Sequence, residues 1–194
     1  VQYYRDLYNL ERVEALKGPN AMIFGRGGGG GVINRVTKEA GMTPLRELTI
    51  QGGSFGNKRF SADIDQPLGE MVAFRMNGMY ENSGSFRNYV NLERYGISPT
   101  VTIAAGKQTK VALSYEHFRD YRTADRGITS YQGRPADVPI STFYGNPDES
   151  NVRARVNLGS VAVDHQVCRL SSRNRTLFGD YDRGYQNFVP GAVT

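Results

Sequence analysis

Apolar and polar residues alternate with a period of two over most of the chain from Arg46 onward. In the stretch 72–81, for example, Phe74 and Met76 share one parity, and Arg75 lies between them on the other. The same alternation occurs at 48–52, 60–65, 95–104, 111–116 and 152–158. Successive side chains of a strand point to opposite faces of a sheet, so the pattern predicts antiparallel β-strands with one apolar and one polar face.

The last two predicted strands are less regular. Val161 and Val163 lie on the opposite parity from the apolar residues earlier in the same strand. A β-bulge adds one residue to a strand and so shifts its parity. We therefore predict a bulge near 159–160, a turn near 164–167 and a long final strand over about 169–187.

The connections between these strands alternate between short and long. Tight turns are predicted at 66–70 and 106–109, and longer connections at 82–94 and 119–151, whereas the short connection at 54–57 does not follow the alternation. Short turns alternating with long loops are typical of bacterial outer-membrane β-barrels. A structureless connection as long as the last one is uncommon in a compact soluble β-sandwich. The pattern therefore favours the wall of a membrane barrel.

The segment 10–38 is organised differently. A charged strand ends in a turn at Gly18, Pro19 fits the first position of a short apolar helix over 19–24, and a β-branched strand begins near Val32. Six glycines lie between the helix and that strand: Gly25, Gly27, Gly28, Gly29, Gly30 and Gly31. Glycine has access to backbone angles that other residues avoid and allows another surface to approach closely. We therefore predict a compact glycine turn packed against another part of the molecule.

The spacing Gly25-x-Gly27-x-x-Gly30 also fits the dinucleotide-binding fingerprint. That fingerprint must open a helix, whereas a strand pattern follows here, and no Gly-Lys-Ser/Thr sequence completes a phosphate-binding loop. A glycine-rich RNA-binding tail is disfavoured because only Arg26 precedes the run and both flanks have the pattern of ordered elements. We predict no nucleotide site and no nucleic-acid partner.

Five short sequences of this segment follow a family pattern in order and spacing: Leu10-Glu11-Arg12-Val13-Glu14, Lys17-Gly18-Pro19, Phe24-Gly25, Gly31-Val32-Ile33-Asn34 and Thr37-Lys38. On these residues the chain resembles the TonB-dependent outer-membrane receptors, in the second half of their plug domain. Lys17 stands where this family more often has arginine, which keeps the charge and loses the bidentate fork. The segment 10–38 and the late stretch 178–192 resemble the ferric-siderophore receptors of the family rather than its cobalamin or sugar importers.

The resemblance implies a mainly β fold, in which part of an α+β plug domain precedes an antiparallel transmembrane β-barrel. We expect 1–41 to be the C-terminal part of the plug and 42–194 the N-terminal part of the barrel. The barrel would be incomplete, with about seven of roughly 22 strands. Its edge strands would expose unpaired backbone groups to lipid, so we also expect the chain to be a portion of a longer receptor.

The function implied by the resemblance is the import of a ferric siderophore into the periplasm across the outer membrane of a Gram-negative bacterium. The implied partners are the siderophore, outer-membrane lipid and TonB, which would grip a segment that precedes Val1. Iron would arrive as a chelate, so we predict no cofactor and no metal held by protein side chains. The sequence contains no catalytic constellation, and an enzyme is not predicted. A passive porin-like barrel and a soluble β-rich binding module are the alternatives.

Composition adds few constraints. The 194 residues carry a net charge of +5 at a mean hydropathy of −0.50, and they contain no apolar run of about 18 residues that would predict a transmembrane helix. The basic residues are spread singly rather than gathered in one stripe. Cys168 is the single cysteine, which excludes an internal disulfide and a cysteine-based zinc site, and His117 and His165 lack metal-ligand spacing.

The resemblance also implies two groups of site residues. The charged plug residues expected to contact the barrel wall are Arg12, Lys17, Arg26, Glu11 and Glu14. Aromatic and basic residues near the plug apex and in the external loops suit an anionic, aryl-bearing iron chelate. They are Tyr3, Tyr4, Phe86, Arg87, Tyr89, Tyr121, Arg122, Arg126, Tyr131, Arg134 and Tyr144. Three further tyrosines are expected in the aromatic girdle at the membrane interface: Tyr80, Tyr95 and Tyr115.

Overall fold

The computed structural model describes residues 5–18 and 30–189. These residues form eleven β-strands and one short 3-10 turn, Ser54–Gly56. The strands are β1 (Leu10–Lys17), β2 (Gly31–Thr37), β3 (Leu45–Gly52), β4 (Lys58–Pro67), β5 (Val72–Ser83), β6 (Leu92–Ala105), β7 (Thr109–Thr123), β8 (Ser130–Tyr131), β9 (Arg134–Pro135), β10 (Asn151–Val167) and β11 (Leu170–Gln186). In this part of the chain, no helix has the length and apolar character needed to cross a membrane.

Strands β1 and β2 pair antiparallel and form a separate N-terminal hairpin. The first residue of β2 has to be glycine: Gly31 has φ 140°, and a Cβ placed on it would lie 2.6 Å from the carbonyl oxygen of Leu16. The helix predicted over 19–24 lies outside the described residues. So do four of the predicted turn glycines: Gly25, Gly27, Gly28 and Gly29.

Seven strands form one antiparallel sheet in the order β3-β4-β5-β6-β7-β10-β11. Each strand pairs with the next one along the chain, except that the small hairpin β8–β9 is inserted between β7 and β10. Within the described residues the sheet is not closed, and β3 and β11 are its edges. The predicted fold class, a mainly antiparallel β-structure with an unclosed barrel wall, is confirmed.

The alternation along each strand separates two faces of the sheet. We call the N-terminal hairpin together with its flanking residues, 5–18 and 30–41, the hairpin segment. In β5, Arg75, Asn77 and Glu81 are buried on the inner face of the sheet, which the hairpin segment contacts. On the outer face large apolar side chains are exposed, among them Leu48, Ile50, Phe60, Ile64, Ile97 and Leu113. An apolar outer face and a polar inner face are characteristic of a membrane β-barrel wall. In a soluble β-sandwich the apolar faces would instead meet in a core.

The strands are longer, and the connections shorter, than the pattern predicts. β5 continues to Ser83, β6 begins at Leu92, and β7 continues to Thr123, so the longest connection covers 124–150. Strands β10 and β11 have 17 residues each, whereas a tilted strand needs about 9–11 residues to cross the hydrocarbon core.

We call the end of the sheet that carries the long connections the loop end, and the opposite end the turn end.

The predicted β-bulge near 159–160 is wrong. The register of β10 is unbroken against both β7 and β11. Ala154 and Val156 are buried on the inner face, whereas Val161 and Val163 lie on the outer face without any shift of register. The parity change has a different cause: near the loop end the buried apolar residues of β10 lie only on the inner face, whereas near the turn end Val161 and Val163 lie outside and Ala162 is buried inside.

Candidate functional site

Charged residues dominate the contact between the hairpin segment and the inner face of the sheet. Near the loop end, the carboxylate of Asp6 accepts two hydrogen bonds from Arg59, at 2.7 and 2.9 Å. Arg59 also donates to Glu81 at 2.6 Å. Arg94 donates to Glu81 at 2.7 Å and lies 3.4 Å from Asp6. We call these four residues the upper cluster, in which two guanidinium groups and two carboxylates pair with one another.

A second group of charged residues, the lower cluster, lies nearer the turn end. Arg75 donates to both carboxylate oxygens of Asp63, at 2.8 and 2.7 Å, in the bidentate geometry that arginine favours. The Nζ of Lys38, which follows β2, lies 2.7 Å from Asp63. The carboxylates of Glu11 and Asp65 lie 3.6 and 3.9 Å from the guanidinium group of Arg75. The hairpin segment therefore contributes a cation and an anion to this cluster.

The stretch 38–41, which we call the strap, is bound to the sheet by backbone and side chains. The carbonyl oxygen of Glu39 accepts a hydrogen bond from the arginine of the lower cluster at 3.1 Å. The backbone N–H of the last strap residue donates to Asp65 at 2.8 Å. The carboxylate of Glu39 accepts from Lys110 of β7 at 2.8 Å and from Arg175 of β11 at 3.3 Å. The strap thus contacts four strands of the sheet.

Tyr8 packs against the sheet at a point where the inner face has no side chain. A Cβ placed on Gly96 of β6 would lie 2.6 Å from the hydroxyl oxygen of Tyr8 and 2.8 Å from its Cζ. Glycine at this position therefore lets the phenol ring lie directly on the strand backbone. Burial, together with the negative charges of Glu116 and Asp6, raises the pKa of Tyr8, so its hydroxyl is neutral at physiological pH.

The surrounding charges keep the carboxylates of Asp6 and Glu39 ionised. Burial acts to raise the pKa of Asp6, but the hydrogen bonds and the charge of Arg59 hold it below its ordinary value of 3.8. Burial also acts to raise the pKa of Glu39, and Lys110 and Arg175 hold it below its ordinary value of 4.5. At neutral pH the contact is therefore made of ion pairs.

This arrangement is suited to a contact that must be held and then released. Ion pairs that gain access to water contribute little net stability, so their partners can exchange for water at a small cost. Removal of one partner of a buried pair is costly, because it leaves an uncompensated charge. Among the described residues, no group of three or more His, Cys, Asp or Glu side chains has the arrangement of a metal site.

The five residues predicted to join plug and wall are distributed over several places. Glu11 lies 3.6 Å from the β5 arginine of the lower cluster. Arg12 and Glu14 pair with each other at 2.7 Å in the exposed part of β1. Lys17 is the last residue of β1, and Arg26 lies outside the described residues. The role of all five in joining plug and wall stays a prediction.

The sequence did not single out most members of the two clusters. The sheet residues among them share the polar parity of their strands: Arg59, Asp63, Asp65, Arg75, Glu81 and Arg94. A buried charge needs a partner, so charged residues on an inward parity were the available signal. The alternation places them on one face but does not identify the pairs, because partners such as Asp6 and Arg59 are 53 positions apart.

Among the predicted ligand residues, Arg87 joins the two long connections. It is 9% exposed. Its guanidinium group donates to Asp125 at 2.6 Å and to the carbonyl oxygens of Ile140 and Thr142 at 2.9 Å each. A backbone hydrogen bond from Asn88 to the same connection lies beside these contacts. Arg87 therefore holds the connection after β5 against the connection after β7, and its predicted role in ligand binding stays a prediction.

The other predicted ligand residues are spread over several places in the described part of the chain. Tyr89 and Tyr121 line a cavity of about 320 Å³ at the loop end. Arg126 donates to the hydroxyl of Tyr185 on β11 at 2.6 Å. Five more lie elsewhere in the long connections or at the end of β7: Phe86, Arg122, Tyr131, Arg134 and Tyr144. Two lie outside the described residues: Tyr3 and Tyr4.

Comparisons with known proteins show what this chain is similar to. No protein-family model matches the chain. The chain is 34% identical over 153 residues to the catecholate siderophore receptor Fiu of Escherichia coli, and the match covers 76% of this chain and 20% of Fiu. It is 32% identical over 149 residues to the metal-pseudopaline receptor CntO of Pseudomonas aeruginosa, with 76% of this chain and 21% of CntO covered.

A solved structure agrees with these matches. The open form of the ferric-catecholate import receptor Fiu matches this fold with a TM-score of 0.87 at 27% identity, over 94% of this chain and 30% of that one. The chain is a homologue of the TonB-dependent siderophore receptors. The siderophore receptor PiuA of Acinetobacter baumannii has a TM-score of 0.85 at 24% identity, over 94% of this chain and 28% of that one, which shows the shared fold.

These siderophore-receptor homologues confirm the resemblance drawn from the segment 10–38. They are receptors rather than enzymes. The chain spans about a fifth of the length of the curated siderophore receptors it matches, which are covered to 20% and 21%.

Proposed function

We propose that the full-length protein is a TonB-energised receptor that imports a ferric siderophore across the outer membrane into the periplasm. The observation that carries this proposal is the match to the catecholate siderophore receptor Fiu at 34% identity over 76% of the chain. The charged contact between the hairpin segment and the inner face of the sheet supports it, because such a contact can hold a stopper and still release it.

Within this function, residues 1–41 are the C-terminal part of the plug and residues 42–194 the N-terminal part of the barrel wall. TonB pulls on a segment N-terminal to these residues. A pull from that side loads Asp6 before β1, because Asp6 precedes the hairpin along the chain. The upper cluster is then the first contact to open, and the strap at 38–41 is the last.

The chelates to test first are ferric catecholates. This choice follows from the similarity to Fiu, which is a catecholate siderophore receptor. It also agrees with the chemistry at the loop end. The guanidinium carbon of Arg126 lies 5.2 Å from the ring centroid of Tyr185. A cation beside an aromatic ring suits an anionic chelate with aryl groups, through charge and stacking.

Two alternative functions fit these observations less well. A passive porin-like barrel would need an open lumen, whereas here the hairpin segment lies on the inner face of the sheet. A soluble binding module would have to cover the exposed apolar side chains of the outer face. Constitutive ion conduction by the reconstituted full-length protein would favour the porin.

Growth of a gene-deletion strain on defined iron chelates tests the proposal. We expect the deletion to abolish growth when a ferric catecholate is the only iron source, and a plasmid copy to restore it. Loss of TonB should have the same effect. A metal–pseudopaline complex and a ferric hydroxamate serve as comparison chelates. Unchanged growth of the deletion strain on every chelate would contradict the proposal.

A further inference from the structure

A row of charged residues crosses the inner face of the sheet near the loop end. Residues that lie directly opposite each other on neighbouring strands form it, from β4 to β7: Arg59, Glu81, Arg94 and Asp120. The charges alternate in sign along the row. The next strand, β10, places Ala154 opposite Asp120, so the alternation stops there. Asp120 is the last carboxylate of the row and is not a member of the upper cluster.

Asp120 is buried but incompletely paired. Its side chain is 2% exposed, and its Oδ1 lies 3.5 Å from Nε of Arg122 on the same strand. The other carboxylate oxygen, Oδ2, is buried and accepts no hydrogen bond within the described residues. A buried polar atom without a partner costs free energy. This oxygen is therefore a favourable acceptor for any donor that comes within its reach.

Arg94 lies beside that oxygen. Directly opposite residues on one face of an antiparallel sheet have Cβ atoms roughly 4.5–5.5 Å apart, and Arg94 has Glu81 on one side and Asp120 on the other. Its Nε and Nη2 both donate to the same oxygen of Glu81, at 3.0 and 2.7 Å, and Nη2 lies 3.4 Å from Asp6. A guanidinium group has several N–H donors, so Arg94 can keep Glu81 and still bind a second carboxylate.

Withdrawal of the hairpin segment changes the charge balance of the upper cluster. While Asp6 is bound, two guanidinium groups face two carboxylates. When Asp6 leaves, Arg59 and Arg94 share Glu81 alone. Both arginine side chains are only about one-fifth exposed, and an uncompensated charge in such a place is costly. The cost arises early in release, because the upper cluster opens first while the strap still holds the segment against the sheet.

We propose that Asp120 is a positioning residue for release of the plug: when Asp6 leaves, the guanidinium group of Arg94 turns toward β7 and donates to Oδ2 of Asp120. The inference rests on the proposed function, because that function requires the hairpin segment to leave the sheet. One carboxylate replaces another on Arg94, so its charge is compensated in both states. In the same step the unpaired oxygen of Asp120 gains a partner. Asp120 thus lowers the free energy of the opened state.

Hydrogen–deuterium exchange of residues 7–17 in the purified full-length receptor tests this exchange of partners. We expect Asp120→Asn to slow the exchange by roughly tenfold, because the opened state loses a hydrogen bond between charged groups. A carboxylate that only supported the wall would give the opposite sign, because its loss would loosen the segment. Asp120→Glu, which keeps the charge, should exchange at close to the wild-type rate. The matched control Asp164→Asn removes an inner-face carboxylate at the turn end, where it pairs with Arg173, and should also leave the exchange unchanged.

A double-mutant cycle separates the exchange of partners from simple charge repulsion between Asp120 and Asp6. In the background Arg94→Gln, the further change Asp120→Asn should leave the exchange rate unchanged, because no guanidinium group is left to turn. Repulsion alone would slow the exchange equally in both backgrounds, and that result would overturn the inference. Faster or unchanged exchange in Asp120→Asn alone would overturn it as well.

A structure of the full-length variant Asp6→Ala tests the inference without any change at Asp120. The variant removes the carboxylate that leaves the upper cluster on release. We expect a nitrogen of Arg94 to lie about 3 Å from Oδ2 of Asp120. An Arg94 that stays in place, or an Oδ2 bonded instead by another residue of the full-length protein, would overturn the inference.

Chelate uptake by cells separates this inference from the proposed function. If Asp120→Asn slows the exchange as expected but the wild-type receptor imports no chelate, the function is contradicted and the exchange of partners is supported. If the wild-type receptor imports a ferric catecholate but Asp120→Asn does not slow the exchange, only the inference is contradicted.

Discussion

Tyr8 and Gly96 show how closely a single position can couple the hairpin segment to the sheet. The phenol ring of Tyr8 lies where a side chain on Gly96 would have to be. No charge pair is involved, so this contact depends on shape alone. Any residue larger than glycine at 96 must displace the ring or the strand, because packed interiors accommodate extra atoms poorly.

The variant Gly96→Ala should therefore loosen the hairpin segment, with a cost of about 1–3 kcal/mol from overpacking. Faster hydrogen–deuterium exchange of the strand 10–17 in the full-length receptor would show it. Gly78→Ala is the matched control, because a Cβ at Gly78 would lie 3.8 Å from its nearest neighbour. The second change Tyr8→Ala should restore slow exchange. Equal exchange in Gly96→Ala and the wild type would contradict the packing described for Tyr8.

Arg87 is a second residue whose surroundings define its role. Its guanidinium group bonds one carboxylate and two carbonyl oxygens, and the single ammonium group of lysine cannot reproduce this fork. We expect Arg87→Lys to accelerate trypsin cleavage within 124–150 in intact outer membranes. Arg134→Lys, which changes an exposed arginine of the same connection, should cleave at the wild-type rate. Equal rates for both variants would show that Arg87 does not hold the two connections together.

At the scale of elements, the N-terminal hairpin is held at both of its ends. The upper cluster binds Asp6 before β1, and the strap binds 38–41 after β2. The lower cluster lies between them and joins Glu11 of β1 to the same sheet. Because these contacts are ionic, the strength of the attachment should depend on pH.

Acidification should detach the hairpin from the sheet. The pKa of Asp6 in the bound state lies below 3.8, the value to which it returns on release. The stabilisation is therefore complete above pH 3.8 and is lost as the pH falls through the lower, bound-state pKa; the same holds for Glu39 below its ordinary value of 4.5. Exchange protection of 10–17, corrected for intrinsic rates, should be constant from about pH 7 to 5 and fall below about pH 4.

Asp6→Asn is the control for this pH dependence. The amide keeps the shape of the side chain but cannot change its charge, so the variant should have weaker protection at neutral pH and a smaller fall on acidification. Protection that stays constant down to about pH 3 in the wild type would mean that these ion pairs do not hold the hairpin.

The elements also show how far the sequence determines the structure. Strict alternation places β4, β5 and β6 with the correct face outward, since Phe60, Phe74 and Ile97 all lie on the outer parity. The same reasoning failed for β10, where Ala154 and Val156 are buried inside while Val161 and Val163 lie outside. A period-two pattern does not show at which position along a strand the surroundings of its two faces change.

The charged site was less predictable than the sheet. The family pattern of 10–38 drew attention to Arg12 and Glu14, which pair with each other on β1. Asp6 and Lys38, which bind the sheet, lie on either side of that hairpin. Their partners come from distant strands, and only the folded register brings them together.

At the scale of the whole molecule, the chain combines a hairpin held by charges with the sheet that it covers. The apolar outer face of that sheet suits lipid, and its polar inner face carries the partners of the hairpin. In the proposed receptor this combination blocks the pore until TonB pulls the plug away. We infer that in the proposed receptor the hairpin must leave the sheet for the ferric chelate to pass.

A reversible cross-link between the hairpin segment and the sheet tests that claim most directly. Tyr8→Cys and Gly96→Cys, placed in a full-length receptor with Cys168→Ser, can be joined by a short reducible thiol cross-linker, because the ring of Tyr8 lies where a side chain at position 96 would be. We predict that the cross-linked receptor binds a ferric catecholate but does not import it, and that reduction restores import. Equal import before and after reduction, with the cross-link verified by mass spectrometry, would contradict the account.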